Sequence, residues 1–168
     1  QEGCHFDQGN SQSKILVKLN EELQKRGIDL IIAGTDETSI DTQITSYNKL
    51  SDEAKAVVER IDTHTYSGSN RAGLNELAKQ VNKNLWMSEV DGDFTAGSSA
   101  GEMSAALGLV QRMMTDLNGL ESTAWILWNT IDMHADNSEY GQKWVNAGSA
   151  NDYLTIDSLM KAWKPRAT

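Results

Sequence analysis

Four strand-like runs in this 168-residue sequence stop in residues able to do chemistry: Thr35-Asp36-Glu37, His64-Thr65-Tyr66, Ser88-Glu89 and Trp128-Asn129. Carboxylates can attack, donate or accept protons. An imidazole and a phenol beside them can set their charge and direction. Indole and phenol faces stack on the CH faces of sugar rings, whose hydroxyls need acceptors and donors; carboxylates and amides supply both. Each residue also has a plainer reading. A Glu directly after an apolar strand serves as a cap or a solvated charge, and a lone His is often a satisfied structural residue. Asp36-Glu37 can be the N-terminal charge of the helix that follows. Trp86 and Trp125 fit a core or a strand–helix interface, whereas Trp128, beside Asn129, fits a site.

Other chemistries lack their residues. The single Cys4 excludes an intrachain disulfide and thiolate zinc. His5 and His134 have no recurrent metal spacing, so neither a metal nor a cofactor is expected. Gly34, Gly68 and Gly92 form no dinucleotide or phosphate loop, and there is no Gly-x-Ser-x-Gly elbow. The balance of 24 Asp and Glu against 15 Lys and Arg gives a net charge of −9, unsuited to nucleic acid or an anionic membrane. No stretch approaches the ~18 apolar residues of a membrane span or resembles a signal peptide.

The elements that must position these residues alternate. Ser11 caps a helix to about Arg26, with Ile15, Leu19 and Leu23 on one face and Gly27 closing it. A short strand buried on both faces, Ile28–Gly34, comes next. Ser39 to about Leu50 reads as helical, and Ser51 caps a further helix through Glu59. Then come a strand over Ile61–Tyr66, a loop over Ser67–Ser69 and an amphipathic helix over Arg71–Val81. Asn84–Val90 is the third strand. A helix from about Ala100 to Leu117 has Met103, Leu107, Val110 and Met114 as its buried stripe, and Thr123–Asn129 is the fourth strand. A polar stretch over 134–152 and a weaker element over Tyr153–Trp163 finish the chain. Four strand-then-helix units in a row predict an α/β body with a parallel sheet, whose ligands bind at the carboxyl ends of the strands.

Read in order, Gln1-Glu2-Gly3-Cys4-His5-Phe6, Thr35-Asp36-Glu37-Thr38-Ser39, His64-Thr65-Tyr66, Leu85-Trp86-Met87-Ser88-Glu89-Val90-Asp91 and Trp125-Ile126-Leu127-Trp128-Asn129 resemble glycoside hydrolase family 30, most closely its endo-β-1,6-galactanase branch. The resemblance implies a (β/α)8 TIM-barrel fold with a β-rich side domain, and hydrolysis with retention. It makes Glu89, ending the seventh strand, the nucleophile. His64 and Tyr66 lie beside the reacting sugar, with Tyr66 able to hold the nucleophile. Trp128 is a stacking wall with Asn129 next to it, and Glu2, Asp36 and Glu37 sit near the cleft.

In that family the acid/base is a Glu in an Asn-Glu-Pro motif ending the fourth strand, a motif that this sequence does not contain. The chain thus reads as the C-terminal half of a catalytic barrel, strands five to eight, with the acid/base upstream and the N-terminal half as its missing partner. The isolated chain is expected to be inactive and to associate. The implied substrate is β-1,6-galactan, acted on outside the cell or at its surface; relatives acting on β-1,6-glucan, glucosyl or xylosyl substrates are the near alternatives. Two further readings stand apart: a carbohydrate-binding remnant without catalysis, and a small doubly wound domain with helices on both sheet faces.

Overall fold

In the computed structural model, residues 6–91 and 103–128 are described, with two short strands at 131–132 and 164–165. The chain divides into two compact units, residues 1–90 with 115–126 and residues 91–114 with 127–168. The elements run α1 (Asn10–Lys25), β1 (Ile32–Ser39), α2 (Ile40–Lys49), α3 (Asp52–Val57), β2 (Val58–Ser67), α4 (Arg71–Gln80), β3 (Asn84–Val90), α5 (Met103–Leu120) and β4 (Ala124–Leu127). Two further strands, β5 (Ile131–Asp132) and β6 (Lys164–Pro165), pair antiparallel. The weaker element expected over Tyr153–Trp163 lies outside the described residues.

The main sheet has the order β1-β2-β3-β4, so each strand pairs with the next in sequence. β1–β2 and β2–β3 are parallel, and Thr123 beside β4 donates its N–H to the Leu85 carbonyl at 2.9 Å. Parallel neighbours need a crossover, which the intervening helices supply. In the first unit the core lies on one face of the sheet. Ile61, Leu85 and Met87 meet Ile40 and Tyr47 of α2, Leu74 and Ala78 of α4 and Leu120 of α5, with Leu16 and Val17 of α1 packed alongside. Arg60, Asp62 and His64 alternate with Ile61 and Thr63 along β2 and therefore point to the other face. Helices of this unit thus gather on one side of its strands, which is barrel-like and not doubly wound.

Two helix signals in the sequence are realised, at Ser51 and Gly27, whereas Ser11 is not a cap: α1 begins at Asn10 with Gly9 as its N-cap, which puts Ser11 inside the helix. Ser51 caps α3 by accepting the Ala54 N–H at 3.2 Å. Gly27 ends the α1 segment at φ 64°. Its N–H reaches the Gln24 carbonyl and that of Ile28 reaches Leu23, each at 3.0 Å, the two bonds of a Schellman motif.

Other details differ from expectation, among them the helix behind Ser51, which stops at Val57 short of Glu59 so that β2 begins at Val58. The first strand is β1 at Ile32–Ser39, later than Ile28–Gly34, so the polar Thr35–Thr38 run lies within it; Leu30 and Ile31 are 64% and 57% exposed. On α1, Ile15 and Leu19 face outward while Leu16 and Val17 pack inward. On α5 the apolar stripe Met103, Leu107, Val110, Met114 is exposed and the buried positions are Ala105, Leu109, Asp116 and Leu120. The buried face of α5 thus carries an acid with hydrogen-bond partners of its own as well as apolar residues.

Candidate functional site

The site forms where the ladder is irregular. Between β2 and β3, Thr63 registers with Met87 but His64 with Glu89, so β3 advances two residues while β2 advances one. Side chains alternate along a strand, and one extra residue moves the next to the opposite face. That bulge at Ser88 puts Glu89 on the side of Trp86, Arg60 and His64 instead of with Leu85 and Met87 in the core. β1 does the same: Thr35 registers with Asp62 and Glu37 with Thr63, leaving Asp36 as the extra residue. Asp36 has φ 60°, a left-handed conformation that Asp tolerates better than most residues.

Four side chains converge there. The Tyr66 hydroxyl donates to Glu89 Oε1 at 3.1 Å. His64 Nε2 lies 3.4 Å from Asp36 Oδ1 and 3.7 Å from Glu89 Oε2. The His64 and Tyr66 rings meet edge to face with centroids 5.8 Å apart. Asp36 Oδ1 also accepts the Ser88 hydroxyl at 2.6 Å. Deeper on the same face, Arg60 makes a two-pronged ion pair with Asp62 at 2.7 and 2.8 Å and lies 3.6 Å above the Trp86 ring.

Charge follows geometry. Hydrogen bonding from His64 holds the Asp36 carboxyl below its usual range against the cost of burial, with Ser88 adding to the effect. Burial disfavours the His64 imidazolium, but Asp36, with help from Glu89 and Asp62, outweighs it and raises the His64 pKa above its ordinary 6.5. The arrangement is a carboxylate oriented by a phenol, with a readily protonated imidazole shared between it and a second carboxylate.

A cavity of about 510 Å³ opens beside Asp36 between β1, the start of α2 and the segment before α1, where Phe6, Gln8 and Thr42 line it with Asp36. Glu37 also borders it, yet is committed to the helices: it accepts from Gln12 Nε2 at 3.0 Å and Ser46 Oγ at 2.6 Å. Of the residues singled out from sequence, Asp36, His64, Tyr66 and Glu89 are therefore brought together, and Glu37 adjoins them facing α1 and α2. Trp128, just past β4, is 49% exposed. Glu2 and Asn129 lie outside the described residues. Ser88 was named only as part of a strand end with no role given, and the Arg60–Asp62 pair was missed; its signal was the alternation of Arg60, Asp62 and His64 along β2. Among the described residues no group of three or more His, Cys, Asp or Glu could hold a metal ion, and no helix is long and apolar enough to cross a membrane.

No family model matches the chain. It is 32% identical over 160 residues to an endo-β-1,6-galactanase of Hypocrea rufa, matching 94% of this chain and 30% of that protein. It is 30% identical over 158 residues to an exo-β-1,6-galactobiohydrolase of Bifidobacterium longum subsp. longum, matching 93% of this chain and 10% of that one. Among solved structures, the glycoside hydrolase family 30 subfamily 8 xylanase Xyn30A of Clostridium acetobutylicum matches with a TM-score of 0.57 at 14% identity, covering 77% of this chain and 30% of its own. SrfJ of Salmonella typhimurium matches with a TM-score of 0.58 at 19% identity, covering 77% and 29%. The chain thus spans 30% and 10% of the lengths of the two curated relatives. Its sequence resembles family 30 galactan hydrolases almost throughout, and its fold is α/β, part of a (β/α)8 barrel of the kind found in that family.

Proposed function

We propose that this relative of glycoside hydrolase family 30 is the C-terminal half of the catalytic barrel of a retaining enzyme that cleaves β-1,6-galactan within the chain. The observation that carries the reading is the Glu89 carboxylate at the end of β3, held by Tyr66 at 3.1 Å. With Oε1 engaged, Oε2 attacks the anomeric carbon. The C–O bond to the leaving sugar breaks through an oxocarbenium-like transition state, giving a glycosyl-enzyme. Water then displaces Glu89. His64, more readily protonated beside its carboxylate neighbours, favours the ionised nucleophile before attack and after release.

Retention needs a second carboxyl ~5–5.5 Å from the nucleophile to protonate the leaving oxygen and activate the water. The proposed donor is a Glu from the part of the barrel beyond these 168 residues, since the family's Asn-Glu-Pro does not occur among them. Without it, departure of an unactivated alcohol slows by roughly 10²–10⁴-fold, so the 168-residue chain alone is expected to be inactive. Asp36 and the cavity beside it seat a neighbouring sugar, with Phe6 offering a face to stack on. From the family resemblance alone, Trp128, Asn129 and Glu2 are proposed as further sugar-binding residues. A polymeric substrate too large to cross a membrane fits a proposed site of action outside the cell or at its surface.

The test is labelling with a 2-deoxy-2-fluoro-β-galactosyl donor in the catalytically complete protein. A covalent adduct on the Glu89 peptide, with β-configured first product by NMR, is the expected result. Turnover surviving in Glu89→Gln, or an adduct elsewhere, would overturn it. Galactan bound by both proteins but cleaved by neither would favour the carbohydrate-binding remnant.

A further inference from the structure

Behind the sheet, on the side away from Glu89, a carboxylate is sunk completely into the protein. Asp116 of α5 is 0% exposed. Its Oδ2 accepts the Thr65 hydroxyl at 2.8 Å and the Trp125 indole N–H at 3.0 Å. Its Oδ1 accepts Arg71 Nε at 2.9 Å and pairs with Arg71 Nη2 at 2.8 Å. One acid therefore ties together β2, the first turn of α4, α5 and β4. Gly119, one turn further along α5, has no room for a side chain: a Cβ there would lie 2.8 Å from Arg71 Cδ. The close approach of α5 to Arg71 is thus built into the helix.

Thr65 is the residue between His64 and Tyr66, and by alternation it points the other way. The ladder around it is irregular on both sides, with shifts after Thr63 toward β3 and after Thr35 and Glu37 toward β1. Ser67 registers with Ser39 and His64 with Glu89, but Thr65 and Tyr66 between them have no register partner in either ladder, which leaves their placement to side-chain contacts. We infer that Asp116 is a positioning residue: through Thr65 it fixes the end of β2, and so the reach of Tyr66 and His64 to Glu89. The inference rests on the glycosidase reading only for what these residues are positioned to do.

His64 reports the positioning without any activity. The charged groups around it are Asp36, Glu89 and Asp62, with Arg60 behind Asp62. If the end of β2 loosens, the carboxylates draw away while burial remains, and the His64 midpoint falls. NMR titration of His64 in the full chain is expected to show a fall of roughly half a unit or more in both Thr65→Val and Asp116→Asn, with Thr65→Ser restoring the parent value. In the catalytically complete protein, Thr65→Val should lower kcat roughly tenfold to a hundredfold with little change in KM. Should Asp116→Asn fail to fold, Thr65→Val decides alone. A folded Thr65→Val with a lower melting point but an unmoved His64 midpoint would make Asp116 merely structural and overturn the inference. Hydrolysis surviving in Glu89→Gln would overturn the nucleophile assignment and leave this titration result standing.

Discussion

At the scale of single residues, the site works by sharing. One imidazole nitrogen faces two carboxylates, Asp36 at 3.4 Å and Glu89 at 3.7 Å, and one phenol holds the second. Replacing Tyr66 by Phe removes that hold without changing the ring. On the proposed galactan hydrolysis, kcat of the catalytically complete protein is expected to fall roughly tenfold to a hundredfold while KM changes little, as measured by steady-state kinetics. The pH dependence follows from two opposite shifts. The raised His64 pKa stabilises the folded state fully below His64's ordinary 6.5, and this is lost as pH rises through the folded value. The lowered Asp36 pKa stabilises above its ordinary 3.8, and this is lost as pH falls through the folded value. Their joint contribution is therefore greatest between about pH 4 and 6.5. Asp36→Asn removes the leading favourable partner of His64, so its midpoint should drop; an NMR titration in which it stays or rises would contradict the shared-charge picture.

At the scale of elements, caps and loops hold the strand ends in place. Asp41 near the start of α2 accepts the N–H groups of Ser69 and Asn70, each at 3.2 Å, fastening the loop between β2 and α4. Gly68 inside that loop has φ 86°, and a Cβ there would lie 2.9 Å from the Asp41 nitrogen. Gly68→Ala should therefore cost about 1 kcal/mol or more through the left-handed backbone and the clash together, read as a lowered urea midpoint. Ser51→Ala, which removes the α3 cap, should cost about 1 kcal/mol by the same measurement. The Ser51 cap and the Gly27 stop were legible because caps and left-handed glycines have local chemistry, although α1 starts behind Gly9 and not behind Ser11. The beginning of β1 was not: Ile28, Leu30 and Ile31 are as apolar as any strand, yet they are exposed and the polar run after them forms the strand.

At the scale of the whole molecule, the exposed apolar residues define behaviour in solution. Ile28, Leu30 and Ile31 lead into β1, which has a hydrogen-bonded strand on one side only among the described residues. An open parallel edge with apolar surface beside it is prone to association. The 168-residue chain should sediment as concentration-dependent oligomers, and the Leu30→Lys, Ile31→Lys pair should shift it toward monomer. A parent that stays monomeric across concentrations would argue against the exposed edge as a driver.

Sequence by itself determined the alternation of strands and helices, the chemical identity of the strand ends and the resemblance to family 30 galactan hydrolases. All three depend on the order of residue types along the chain. Only tertiary structure decided which of those residues meet. One extra residue in β1 and one in β3 turned Asp36 and Glu89 onto the face of His64 and Tyr66, and strict period-two reading would have left Glu89 facing the core. Tertiary structure also buried Asp116 in preference to the apolar stripe on α5. Periodicity identifies an apolar face, but not the Arg71, Thr65 and Trp125 donors that make burying an acid favourable.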